Sequence, residues 1–271
     1  MNEHPSDTES RAATLLQAFD DRRQIAPLSD TAPVSLASAY AIAADIAARR
    51  QARGETPIGR KIGFTNRTIW PIYGVEAPIW GWMYDTTVHD IPDGGRIPLQ
   101  GLPEPRIEPE IAFAFTETLV PEMSVADIAA RLDWVAHGVE IVMSVYPGWK
   151  FTAPDAVAAM GMHGGCWLGE RRPADEILNG DPARLEAFSL TLEGPDERHT
   201  GHARDVLDGP LHAVKHLLDV IDRMPGAGPV GPGEVLITGT LTDARLVAAG
   251  QRWLTQIDGI GLPGLDITFT A

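Results

Sequence analysis

Two hydrophobic rhythms divide the chain. Residues 8–22 and 34–53 carry apolar positions at helical spacing, and in the second segment Leu36, Ala39, Tyr40, Ala43, Ile46 and Ala47 fall on one stripe. That segment closes in Arg-Arg-Gln-Ala-Arg before Gly54, a basic last turn and a glycine stop that suit a helix C-terminus. A loop with Pro27 and Pro33 joins the two helices. From about residue 58 the rhythm shortens to strand-like runs broken by Gly and Pro, at 58–64, 106–116, 136–146, 162–169, 187–194, 233–239 and 265–270. Two further helices interrupt them. One follows Ser124, an N-cap with Asp127 three residues on. The other spans about 210–223, with Pro210 at its first position and Leu211, Val214, Leu217, Leu218 and Ile221 facing inward. The alternation is too irregular for a doubly wound α/β sheet. It predicts an α+β fold, with a helical N-terminal segment over residues 1–56 and a β-rich body over 57–271.

Composition narrows the class without naming a function. The chain has 271 residues, enough for one large domain or a domain with an appendage, and shows no repeat or low-complexity tract. Its net charge of −15 argues against nucleic acid or an anionic membrane as the main partner. Cys166 is the single cysteine, so no internal disulfide forms. The start MNEHPSDTESRAATLL lacks a basic stretch followed by an apolar run, and no stretch approaches ~20 uninterrupted apolar residues. The expectation is a cytoplasmic protein that does not span a membrane.

The strand RIEPEIAFAF, residues 106–115, contains an anomaly. Glu108 and Glu110 precede a run fit for the core, and alternation points both carboxylates to one face. A third acid, Glu140, sits in HGVEIVMSV among Val139, Ile141 and Val142. Buried carboxylates side by side repel, so one takes up a proton unless a positive charge intervenes. A divalent cation is the simplest remedy, and an all-oxygen set suits Mg²⁺ or Mn²⁺ better than zinc. The alternative is an exposed strand end, which Pro109 favours because it cannot donate to a ladder. His137, His199, His202, His212 and His216 form no cluster with Cys that reads as zinc. GPVGPGE, residues 228–234, lacks the Lys-Ser/Thr of a phosphate loop.

Several segments together resemble a known family. GRKIGFTNRTIWPIYGVEAPIWGWMYDTTV (59–88), RIEPEIAFAF, the Val-Glu-Ile-Val around Glu140, GPLHAVKHLLDVI and GPGEVLITGTLTDA (231–244) occur in the order seen in the 2-keto-4-pentenoate hydratase and 4-oxalocrotonate decarboxylase group of the fumarylacetoacetate hydrolase family. The resemblance covers residues 40–271. It implies a mixed-sheet body and a metal enzyme acting on short 2-oxo or 2-hydroxy-dienoic acids. Glu108, Glu110 and Glu140 match the family's ligands for Mg²⁺ or Mn²⁺. Three carboxylates and a dication leave −1, and Lys61, in GRKIG, brings the site to about neutral before an anionic substrate enters; binding the substrate carboxylate or transferring a proton are its implied roles. Asp85, in WMYDTTV, matches an acidic position for proton or water handling, with a turn-forming aspartate as the alternative. Arg106, on the face of Glu108 and Glu110, and Thr240, in ITGTLT, are candidates for substrate binding; an exposed strand-end charge and a turn hydroxyl are the alternatives.

One segment departs from the resemblance. Where better-known members carry an Ala-Asp-Asn-Ala-Ser-Ser-Gly-like stretch, this chain reads AAMGMHGGCWLG, residues 158–169, with Ala159 and Met160 in place of Asp and Asn. His163 stands near the serine pair. Beside Gly164 and Gly165 it can approach a ligand closely, so it joins the catalytic candidates, with a packed core histidine as the alternative. Three functional readings result: hydration of a 2-hydroxy-2,4-dienoate, decarboxylation of an oxalocrotonate-type diacid or related C–C cleavage, and a non-catalytic partner subunit of a pathway enzyme. The aromatic and apolar residues Trp80, Trp82, Tyr84, Tyr146, Trp149, Met160 and Met162 favour a monoacid tail, and thus hydration. The resemblance also implies a homo-oligomer.

Overall fold

A computed structural model describes residues 5–224 and 226–271. Helices α1 (Pro5–Asp20) and α2 (Leu36–Ala52) form the N-terminal segment, and Ser35 caps α2 by accepting from Ser38 N–H. The buried side of α2 comprises Ala39, Ile42, Ile46, Ala47 and Arg50, while Leu36 is exposed. The predicted stripe is rotated because α2 packs on α1 and also on a second helix, α5 (Ala153–Ala158). Leu15, Ile42 and Ile46 thereby share one core with Ile79, Tyr84, Val145, Tyr146 and Met160 of the body.

The body holds two sheets. The larger has nine strands: β1 (Pro57–Gly63), β2 (Ile79–Tyr84), β3 (Val88–Asp90), β5 (Arg106–Phe115), β6 (Leu132–Val142), β7 (His163–Leu168), β8 (Arg172–Pro173), β11 (Val235–Ile237) and β12 (Arg245–Leu246). Its order is β2-β1-β11-β5-β6-β7-β3, with β8 added to β6 and β12 to β5. The β1–β11 and β3–β7 pairs are parallel and the β5–β6 and β6–β7 pairs antiparallel, so the sheet is mixed. The smaller sheet runs β10 (Arg198–His202), β9 (Ser189–Glu193), β13 (Arg252–Asp258), β14 (Asp266–Thr270) and β4 (Arg96–Pro98). Short helices α3 (Trp70–Tyr73), α4 (Val125–Ala129) and α6 (Ala174–Leu178) occupy connections. Ser124 and Asp127 form the capping box that starts α4. In α7 (Pro210–Ile221) all five predicted inward residues are buried.

Alternation gives the large sheet two different faces. Ile107, Ile111 and Phe113 of β5 join Val135, Val139 and Ile141 of β6 beneath α7 in the main core. The opposite face, which carries the glutamates, is lined by smaller groups: Ala112, Ala136 and Cys166 cluster with Met83 of β2 and with Val235 and Ile237 of β11. β2 and β7 lie far apart in the strand order yet touch, so the sheet is rolled about this face. Among the described residues, no helix is long and apolar enough to cross a membrane.

Candidate active site

β5 and β6 pair along almost their whole length and set Glu108 directly opposite Glu140, with Glu110 two residues on, opposite Gly138. All three carboxylates share the crowded face, and one oxygen from each lies within 4.8 Å of the others. The strand is no edge. On its far side β5 meets β11 at residues 112–113 and β12 at 106–107. Pro109 falls in the gap between them: its carbonyl accepts from Leu241 N–H, and a missing N–H on that side forfeits no ladder bond.

Burial dominates the charge state of the cluster. It pushes Glu108 up to about 7, with Lys61 opposing and Glu140 reinforcing. Burial and the two neighbouring carboxylates drive Glu110 well above the carboxylate range. Burial also pushes Glu140 upward, but Lys61 and His163 outweigh it and hold this carboxyl below its usual value. Glu110 Oε2 accepts from Gly239 N–H at 2.7 Å, while its buried Oε1 has no hydrogen-bond partner. Three carboxylates around one point, two of them pushed toward the protonated form by burial and two with a buried oxygen that lacks a hydrogen bond, fit a hard divalent cation held through oxygen.

Lys61 reaches the cluster from β1. Only 3% exposed, its Nζ lies 3.0 Å from Glu140 Oε2 and donates to Gly161 O at 2.8 Å. Burial alone would discharge the amine, yet the three glutamates hold its pKa above the usual lysine value. The accepting carbonyl sits in a strained turn. Met160, Gly161 and Met162 have φ of 54°, 65° and 65°, the left-handed region that bulky residues avoid. Hydrogen bonds from Met162 N–H to Ala159 O and from Met143 N–H to Met162 O maintain it. A Cβ on Gly161 would stand 2.8 Å from Lys61 Cδ, so this close approach requires glycine.

Above Lys61 and Glu108 opens a cavity of about 220 Å³. Phe64, Ile69, Ile79, Trp149 and Phe151 line much of it, and Tyr73 stacks on Phe64 and Phe151 with ring centroids 4.7 and 5.8 Å away. Arg106 also lines the cavity, its guanidinium 4.2 Å from the centroid of Trp149. Its Nε is buried without a hydrogen-bond partner, and burial lowers its pKa against the pull of nearby glutamates.

No protein-family model matches the chain. Individual relatives do. A 2-hydroxyhexa-2,4-dienoate hydratase of Comamonas testosteroni is 30% identical over 267 residues, covering 96% of this chain and 97% of the relative. A 2-keto-4-pentenoate hydratase of Burkholderia vietnamiensis is 32% identical, again over 96% and 97%. This chain belongs to the 2-keto-4-pentenoate hydratase and 4-oxalocrotonate decarboxylase group of the fumarylacetoacetate hydrolase family. Among solved structures, the 4-oxalocrotonate decarboxylase of Pseudomonas putida G7, complexed with magnesium and adipate, matches with a TM-score of 0.89 at 26% identity over 99% of each chain. More distant fumarylacetoacetate hydrolase family structures, at 16% identity or less, share the fold alone.

Within this hydratase and decarboxylase scaffold, Lys61, Arg106, Glu108 and Thr240 line the cavity, and Glu110 and Glu140 adjoin Glu108. The Thr240 hydroxyl donates to Thr242 O at 2.8 Å and so is engaged within its own turn. Asp85 is not brought to the site. It is exposed in the turn after β2, where it accepts from Thr56 N–H at 3.0 Å, as the turn alternative describes. His163 touches Glu140 but does not line the cavity. Of the aromatic and apolar residues read as the far wall, Trp149 and Met162 line the cavity. Trp80 and Trp82 instead cover the buried Arg60, which pairs with Glu234. Phe64, Tyr73 and Phe151 join Ile69 and Ile79 in the rest of that wall, and nothing in their local pattern marked them. The Gly239 amide also went unread, although the glycine lies in the quoted ITGTLT.

Proposed function

We propose that this chain is a divalent-metal-dependent hydratase that converts a short 2-hydroxy-2,4-dienoate, through its 2-oxo-3-enoate tautomer, into a 4-hydroxy-2-oxo acid. The observation that carries this reading is the convergence of three carboxylates and a charged lysine beside a small cavity, which Lys61 and Glu108 line directly. Glu108, Glu110 and Glu140 would hold the cation. When bound, it supplies Lewis acidity at the substrate's C2 oxygen and draws electrons from the conjugated chain. Lys61 places a positive charge beside that position, offsets charge developing on the substrate and offers a proton held by the same field that keeps the amine charged. Water adds with its oxygen to C4 and a proton to C3. The aromatic and apolar side of the cavity suits a vinyl or alkyl tail, and a volume below the ~300–1,000 Å³ of drug-sized pockets suits a short acid. The hydratase relatives and the magnesium of the Pseudomonas decarboxylase support the same reading.

Decarboxylation is the second reading, favoured by Arg106. A guanidinium with no hydrogen bond or ion pair to the described residues is the cation a second carboxylate needs, and the adipate of the Pseudomonas structure is a diacid. A monoacid 2-hydroxy-2,4-dienoate and an oxalocrotonate-type diacid should be supplied separately with Mg²⁺. Loss of dienol absorbance from the monoacid without CO₂, yielding a 4-hydroxy-2-oxo acid, is the expected result. Stoichiometric CO₂ from the diacid with no turnover of the monoacid would overturn hydration. A non-catalytic subunit is disfavoured by the intact cluster. The reading includes a homo-oligomer in the cytoplasm, where the lone, buried Cys166 is at ease; a monomeric mass by light scattering would remove the oligomer.

A further inference from the structure

Glu140 is held at both ends, and one holder lies outside the cavity. Oε2 faces Lys61. Oε1 is 2.7 Å from His163 Nδ1, and His163 Nε2 is 2.9 Å from Thr87 Oγ1. We propose that His163, braced by Thr87, is a positioning residue that fixes the rotation of the Glu140 carboxylate for the divalent cation. This rests on the reading of the three glutamates as the cation site.

The hydrogen-bond directions follow from the atoms. An ionised carboxylate only accepts, so His163 Nδ1 carries the hydrogen. Nε2 then accepts the hydroxyl hydrogen of Thr87 at 2.9 Å, in competition with Tyr84 O, which lies 3.2 Å from the same hydroxyl. Thr87 is itself fixed: its Oγ1 accepts Tyr84 N–H at 3.1 Å and its carbonyl accepts Cys166 N–H at 2.8 Å. The ring is thus pinned in the Nδ1–H form from behind, as a histidine metal ligand is usually pinned by its own outer partner.

Glu110 shows the same device built from backbone. Its Oε2 is tied to Gly239 N–H and its Oε1 has no partner. In Glu140 the roles fall to Oε1, tied to His163, and Oε2, which lacks a hydrogen bond of good geometry while facing Lys61. Each carboxylate is anchored by a hydrogen bond through one oxygen and turns the other toward the shared centre, where Lys61 lies 3.0 Å from Glu140 Oε2. A buried carboxylate anchored at one oxygen loses the rotation that would otherwise oppose coordination.

A bulge brings His163 there. β6 pairs Ile141 with Gly165 but Val142 with His163, leaving Gly164 as the extra residue. Bulges re-aim side chains beside active sites. A Cβ on Gly164 would lie 2.6 Å from Ile141 O, so the bulge needs glycine. Because His163 lines a different cleft, with Thr87 and Gly164, it acts through Glu140 and not on substrate.

Mn²⁺ titration by calorimetry of the metal-free full chain tests this with His163→Leu, His163→Asn and Thr87→Val, alongside unfolding midpoints of each metal-free variant. His163→Leu is expected to weaken Mn²⁺ by about 10–100-fold, the usual loss for such outer partners. His163→Asn, whose amide N–H reaches near the Nδ1 position, should recover most of that loss, and Thr87→Val should fall between the wild type and His163→Leu. Nitrogen NMR of the wild-type ring should show Nδ1 protonated and Nε2 bare, a result independent of whether any variant folds. Unchanged affinity in His163→Leu, equal weakening in the Leu and Asn variants in step with lowered midpoints, or an Nε2–H ring would each overturn the inference. No saturable Mn²⁺ binding in the wild type would overturn the cation reading itself, and this inference with it.

Discussion

Lys61 carries its charge where burial alone would remove it, because three glutamates surround it. Lys61→Met is therefore expected to do two separable things. It removes the positive charge at the cavity wall, and turnover should fall about 10²-fold or more, the scale of a positioned acid or electrostatic group. It also strips Glu140, which is completely buried, of its ion-pair partner. Breaking one side of a buried pair costs roughly 3–5 kcal/mol, so the metal-free variant should unfold at lower denaturant than the wild type. Saturating Mg²⁺ should narrow the stability gap, since a cation replaces the missing charge, but should leave the rate defect. Near-normal turnover would return Lys61 to a structural role. A gap that Mg²⁺ leaves untouched would count against the glutamates as its site.

The left-handed run at Met160–Met162 has one job at the scale of an element: it turns the Gly161 carbonyl toward Lys61. Gly161→Ala places a Cβ in the left-handed region, at roughly 1–2 kcal/mol, and presses it against the lysine stem. We expect a stability loss of that order by urea unfolding, together with a turnover loss out of proportion to it. A stability loss with wild-type turnover would show that the carbonyl is not needed. How much of such elements the sequence discloses depends on what sets them. Helices α1, α2, α4 and α7 were legible because caps and spacing are local, as with Ser124 and Asp127 or Pro210 and the stripe that follows, whereas the short α3, α5 and α6 span too few residues to show a period and went unread. The glutamate pair was legible because strand alternation alone gives its common face, and Glu140 because its neighbours are so apolar. The turn at 160–162 was not, since Met in the left-handed region obeys no propensity and is held by Ala159 and Met143 from outside. β2 was missed because Trp80–Gly81–Trp82–Met83 does not alternate between apolar and polar. β13 does alternate, with Trp253, Thr255 and Ile257 buried, and went unread among its polar neighbours. The β6–β7 bulge is a relation between two strands and has no one-dimensional signature beyond Gly164-Gly165.

At the scale of the molecule, His137 latches the two sheets together. Its Nδ1 donates to Glu110 O at 2.9 Å and its Nε2 accepts from Thr255 Oγ1 of β13 at 2.8 Å, while Thr255 Oγ1 accepts Leu265 N–H. Burial pushes its pKa down to about 4 from the ordinary 6.5. The unfolded chain therefore binds this proton more readily than the folded one. The stabilisation is complete above pH 6.5 and is lost as pH falls toward 4, on the order of 3 kcal/mol in all. His137→Gln, which keeps a donor for Glu110 O, should show a shallower decline in urea midpoint between pH 7 and 4.5 than the wild type; an equally steep decline would remove His137 as the cause. The same scale governs the N-terminal helices. α2 packs on α5, and Arg50, buried beside Tyr84, lies 3.9 Å from the Met160 sulfur. Met160 begins the turn in which the Gly161 carbonyl accepts the hydrogen bond of the Lys61 amine. Helices α1 and α2 thus behave as a splint for the candidate site: shortening the chain ahead of residue 57 would wound the Lys61 amine from behind, and an enzyme trimmed to its β-rich body would be a poor guide to the whole.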